Sequence, residues 1–156
     1  MVEQRLNQKT VTNKSGFSLI EILVFIMLIS LVLITSTALT ITAIRNTKNN
    51  QYRVLAQYYA ESLENWITSQ RLQSWTDFKS KTSSAGTTYC FNSTTIDNWP
   101  TTGACSSYSL DNKYKREAKL TLNNNDQITA EITVNWKGIS GNDVVMIKRI
   151  YSRYEF

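Results

Sequence analysis

The sequence predicts an α+β chain in which one long N-terminal helix, membrane-spanning in its first half and amphipathic in its second, packs on a small antiparallel β-sheet. Three observations predict it. An apolar run from Phe17 to Ile44 carries a single charge, a helical repeat of apolar residues continues beyond it, and the C-terminal third alternates apolar and polar residues with period two. At 156 residues, with one apolar run near the start, the chain has room for a single modest head domain plus an anchor.

Residues 1–16, MVEQRLNQKTVTNKSG, are polar and contain no apolar core of their own, unlike a secretory signal peptide. The run that follows, about 28 residues, exceeds the roughly 20 that span a bilayer. Glu21 is its only charge. Lys9 and Lys14 precede the run and Arg45 and Lys48 follow it, a balance that alone does not decide orientation. The slightly more basic leader, together with a Cys pair and a Ser/Thr/Asn-rich C-terminal half suited to an oxidising compartment, leads us to expect the N-terminus on the cytoplasmic side.

Past Ile44, residues Tyr52, Leu55, Tyr59, Leu63 and Trp66 recur at steps of three and four, with Arg53, Gln57, Glu61 and Glu64 on other faces. Neither Pro nor Gly falls between Phe17 and Trp75, so one helix of more than 50 residues is expected, its amphipathic half covering 45–75. Thr76 to Leu110 is rich in Ser, Thr, Gly and Asn, holds Pro100, and reads as a long irregular segment. Cys90 and Cys105 lie within it. Without a Cys-x-x-Cys spacing or any His in the chain, their natural use is a disulfide closing a loop of about 15 residues, worth roughly 3 kcal/mol on the entropy model, with buried free thiols as the alternative.

The remainder reads as strands. Ala118, Leu120 and Leu122 alternate with polar residues, and Ile128, Ala130, Ile132, Val134 and Trp136 form a clean apolar face opposite Thr129, Glu131, Thr133 and Asn135. Polar turns at 123–126 and 138–143 suit antiparallel neighbours, and Val144 to Tyr154 supplies a third strand. The helix stripe is the expected cover for the sheet's apolar face.

Composition narrows the function classes. Lys and Arg number 17 against 12 Asp and Glu, but Arg5, Lys9 and Lys14 against Glu3 place a net two of those five charges in the first sixteen residues. That weakens a nucleic-acid reading, since phosphate binding needs cations clustered on one face. Lys148, Arg149 and Arg153 form a small basic group that an anionic surface such as DNA would meet, although three charges on one strand are more often a solvated face. The absence of His removes the commonest general base and metal ligand, and no nucleophile–base pair or metal cluster stands out, so no enzyme, cofactor or metal is expected.

Gly16-Phe17-Ser18-Leu19-Ile20-Glu21, between a short basic leader and the apolar run, resembles the processing motif of the type IV pilin and pseudopilin superfamily. The order of parts fits as well: leader 1–16, assembly half of the helix 17–44, amphipathic half 45–75, and a pilin-like extracytoplasmic head 76–156 with its cysteine-bounded loop. The resemblance implies that a prepilin peptidase cuts between Gly16 and Phe17 and methylates the new N-terminus of Phe17. It also implies that Glu21 meets the terminal amine of a neighbouring subunit during assembly, and that an inner-membrane platform and other pilin subunits are the partners. The subunit would cross the inner (cytoplasmic) membrane once before joining a periplasmic or cell-surface filament. Major pilins often carry a glycine and a proline in the membrane half, where this chain holds Ser30 and Ala38. Cys105 lies about 50 residues from the C-terminus, whereas in many major pilins the disulfide bounds the C-terminal region. Both departures favour a minor subunit, and Ala56 to Ser62 is similar to the corresponding stretch of V-type minor pilins. Alternatives are a tip-displayed adhesive or DNA-binding module and a pseudopilin of a type II secretion or competence system.

Overall fold

The computed structural model describes residues 16, 18–124, 126–139 and 141–154. Helix α1 (Leu19–Gln73) and the short α2 (Trp75–Ser80) precede four strands, β1 (Thr87–Cys90), β2 (Tyr114–Asn124), β3 (Gln127–Lys137) and β4 (Asn142–Ser152). The strands form one antiparallel sheet in the order β1-β2-β3-β4. The chain is α+β as the sequence predicts. Contacts divide it into two units at Ala43–Ile44.

In the first unit α1 is apolar all round, and every described side chain through Ala43 is exposed. Among the described residues α1 is the one helix long and apolar enough to cross a membrane. Most of its hydroxyls are turned inward on their own helix: Ser30 Oγ donates to the Ile26 carbonyl at 2.7 Å, Thr37 to Leu33 at 2.8 Å, Thr40 to Ser36 at 2.9 Å and Thr42 to Ala38 at 3.0 Å. Each of these hydroxyls thus reaches an apolar surround with its donor already satisfied, which removes most of the cost of placing it there.

In the second unit the helix covers the inner face of the sheet. The residues of α1 that become fully buried are Ala56, Ala60, Leu63 and Ile67, whereas Tyr52, Leu55, Tyr59 and Trp66 are only partly buried. The expected stripe is therefore rotated. Its large aromatics flank the contact, and Ala56 and Ala60 are buried within it alongside Leu63 and Ile67. Ala118, Leu120, Ile128, Ala130, Ile132, Val134 and Trp136 point inward and are buried, each large one contributing roughly 1.5 to 3 kcal/mol.

Three elements differ from the sequence expectation. The helix does not run to Trp75; it ends at Gln73, and Ser74 takes an extended conformation (φ −158°, ψ 109°) so that its Oγ accepts from Asp77 N at 3.2 Å and caps α2. A serine offers this local bond as an alternative to continuing the helix. The segment 76–110 is not wholly irregular either, because it contains α2 and the four-residue strand β1, so the sheet has four strands and not three. The last strand is Asn142–Ser152, two residues earlier at each end than 144–154.

Candidate functional site: the acidic apolar helix and the tethered loop

Gly16 is exposed, and a β-carbon placed on it would meet nothing within 4 Å. Residues 1–15 of the leader and Phe17, the expected mature start, lie outside the described residues. Glu21 sits in the first turn of α1, its amide donating to the Ser18 carbonyl at 3.0 Å, and its side chain lies in a shallow apolar depression with Ile20, Val24, Phe25 and Leu28. A carboxylate near a helix N-terminus is favoured by the free amides there. It is also the only acid or base in the first unit's described helix, so the sole charge available to pair with a cation is held one turn from the helix start.

Cys90 and Cys105 form a disulfide, with Cα atoms 4.9 Å apart. The loop it closes is held at several further points. Cys105 N donates to Glu117 Oε1 at 2.7 Å, Trp99 Nε1 donates to Gln70 Oε1 on α1 at 3.2 Å, and the Trp99 ring packs edge-on against Trp66 with centroids 4.9 Å apart. Trp66, Trp75, Trp99 and Trp136 all pack on the core. Asn92, which begins the tripeptide Asn92-Ser93-Thr94, uses both ends of its amide internally: Nδ2 donates to the Ser107 carbonyl at 2.6 Å and Oδ1 accepts from Arg116 N at 3.1 Å.

The organising residue of this region is Arg116, which the sequence reading did not single out. It lies on the inward phase of β2, is completely buried, and donates to three backbone carbonyls: Phe91 at 3.0 Å, Ser93 at 2.7 Å and Tyr59 of α1 at 3.0 Å. Burial pulls its pKa down to about 10. One side chain thus ties helix, sheet and loop together. The signal available in the sequence was an arginine in phase with Tyr114, Ala118 and Leu120, on the face that has to be apolar.

The basic group at the end of the chain is internally opposed. Lys148 Nζ lies 3.1 Å from Glu131, Arg149 bonds Glu64 of α1, and Arg153 lies 3.9 Å from Asp126. The Glu64 contact raises the Arg149 pKa. A polar cleft of about 390 Å³ lies between α1 and the β3–β4 end, lined by Asn49, Asn50, Arg53, Trp136, Asp143 and Val144. Two buried atoms of its lining residues, Asn49 Oδ1 and Trp136 Nε1, have no hydrogen-bond partner. Among the described residues no group of His, Cys, Asp and Glu could hold a metal ion.

Fold and site together define a class: an α+β protein whose long apolar N-terminal helix suits a membrane and whose head carries a disulfide-tethered loop. Comparison with protein-family models, with curated proteins and with solved structures gives no match.

Proposed function

We propose that this chain is a structural subunit, of the minor kind, of a type IV pilus or a related pseudopilus, processed by a prepilin peptidase and assembled through its N-terminal helix. The observation that carries the reading is the juxtaposition at the helix start. Glu21 stands one turn into a helix whose described side chains through Ala43 are otherwise uncharged and all exposed. That surface demands lipid or other helices, and a carboxylate within it costs roughly 2.5 to 3.5 kcal/mol at mid-span unless paired, less near the interface. The free amine of a neighbouring subunit, created by cutting after Gly16, supplies the missing cation at the matching depth. The pair then favours one axial register between adjacent helices.

The self-bonded hydroxyls of Ser30, Thr37, Thr40 and Thr42 support the same reading, because these donors are met whether the helix sits against lipid first or against protein later. Before assembly the subunit crosses the inner membrane once with its N-terminus cytoplasmic and its disulfide-bearing head outside, where oxidation is permitted. Its partners are the peptidase and methyltransferase, the assembly platform and other pilin subunits. Intact-mass measurement of the membrane-extracted protein tests the proposal: residues 1–16 are expected to be missing and Phe17 to carry one added methyl. A chain that retains Met1 through Gly16 in the presence of the peptidase would sink it.

A further inference from the structure

The sheet has two edges, and they are not alike. Outside β1 the chain covers its own edge, through a bridge between Tyr89 and Thr102 and the bond from Gly103 N to the Thr88 carbonyl at 2.8 Å. Outside β4 no further strand lies among the described residues, and this edge is eleven residues long with an unbroken register against β3. The outer face of the sheet is polar over β2 and β3, where Lys115, Glu117, Lys119, Glu131, Thr133 and Asn135 point away from the core. It turns apolar only on β4, where Val144, Met146 and Ile150 are 55%, 62% and 58% exposed. A long edge with apolar side chains is a ready template for another strand.

We propose that the free edge of β4 accepts an extended segment of a different protein, one that alternates apolar residues with a carboxylate opposite Lys148. Lys148 stands between Met146 and Ile150 on the outer face, paired with Glu131 on its β3 side and open on the other. A cross-strand acid is favoured there and a cation opposed. Backbone bonding along the edge supplies the attachment, and the alternating side chains supply the choice of partner.

A second copy of this chain does not fit. Asn49 and Arg53 share a cleft with Asp143 and Val144, Glu64 meets Arg149, Thr68 meets Tyr151, and Arg71 meets the Ser152 carbonyl. The head's part of α1 therefore runs alongside β4 in the same direction. An antiparallel β4–β4 pair between two copies would turn one of those helices end for end, which is incompatible with two subunits entering one membrane the same way; this step rests on the anchored reading above. A parallel pair of two β4 edges would turn one sheet over, placing Val144, Met146 and Ile150 of the two copies on opposite faces, where neither set covers the other.

The test uses the full chain in detergent micelles and a fluorescent peptide with the sequence of residues 127–137, which pairs natively with the opposite side of β4 and carries the carboxylate of Glu131. Saturable binding is expected, weakened when the peptide carries Glu131→Lys. Of two peptides N-methylated at alternate residues, one set odd and one even, only one should lose affinity, by about tenfold or more, because alternate residues of a strand face its partner. Absence of saturable binding, equal behaviour of the two methylated peptides, or indifference to Glu131→Lys would overturn the proposal. So would a concentration-dependent dimer that the peptide fails to dissociate. None of these readouts depends on processing, so a chain cut after Gly16 that ignores the peptide refutes this inference and leaves the subunit reading standing.

Discussion

Glu21 and Arg116 are both charges in apolar surroundings, and their solutions differ. Glu21 has no side-chain partner among the described residues, so its charge is available to another molecule. Glu21→Ala is expected to leave processing after Gly16 largely intact while filament incorporation drops; normal incorporation, read by immunoblot of sheared filaments, would show the register argument to be wrong. Arg116 is satisfied within the fold by three carbonyls. Arg116→Met strands the Phe91 and Ser93 carbonyls while relieving the buried charge, so a net loss of about 1 to 3 kcal/mol is expected in denaturant titration. Arg116→Lys should fare no better, because a compact ammonium cannot reproduce a fork that spans separate acceptors.

At the scale of elements, capping and small residues decide what periodicity leaves open. The apolar repeat of α1 was legible, and so was the sheet face from Ile128 to Trp136, because alternation with period two has no other comfortable solution. The end of α1 was not legible. Ser74 and Asp77 form a cap only once the chain has turned, and no Pro or Gly announces it. The buried line of the helix–sheet contact also differs from the expected stripe, because Ala56, Ala60 and Ile67 lie on the face that meets the sheet while the aromatics flank it. Ala60→Leu should therefore overpack this contact and cost about 1 to 3 kcal/mol, measurable as a lower denaturation midpoint. The tethered loop makes a separate expectation. Reducing Cys90–Cys105, or replacing both with Ser, should lower stability by about 3 kcal/mol. The Arg116 and Glu117 bonds should meanwhile keep β2 protected in hydrogen exchange.

For the head as a whole, buried phenols set the alkaline limit. Tyr89, Tyr114 and Tyr151 are each at most 4% exposed, and burial raises the pKa of all three, that of Tyr114 to about 12. Below pH 10 the phenols are neutral in folded and unfolded chains alike, and their contribution is fully present. Above it the unfolded chain releases those protons first, so stability falls as pH rises toward 12, by about 2 to 3 kcal/mol from Tyr114 alone. Arg116 acts in the opposite sense over the same range, because its lowered pKa lets the folded state shed a proton that the unfolded state keeps. The three tyrosines should outweigh it. Melting temperature followed across this range checks the sign, and Tyr114→Phe should flatten the slope.

What the sequence determined by itself is whatever depends on nearest neighbours along the chain. The apolar length of α1, the solitary Glu21 behind Gly16, and the alternating strands follow from composition and spacing, because a bilayer, a helix and a pleat each impose a fixed period. Tertiary structure alone decided what depends on neighbours in space. It buried Arg116 under three carbonyls from two distant segments, and it opposed each of Lys148, Arg149 and Arg153 with a carboxylate from elsewhere in the chain. It closed one edge of the sheet with the chain's own loop and, among the described residues, left β4 open. Such pairings join residues from 13 (Tyr89 to Thr102) to 85 (Glu64 to Arg149) positions apart, and no local period encodes them.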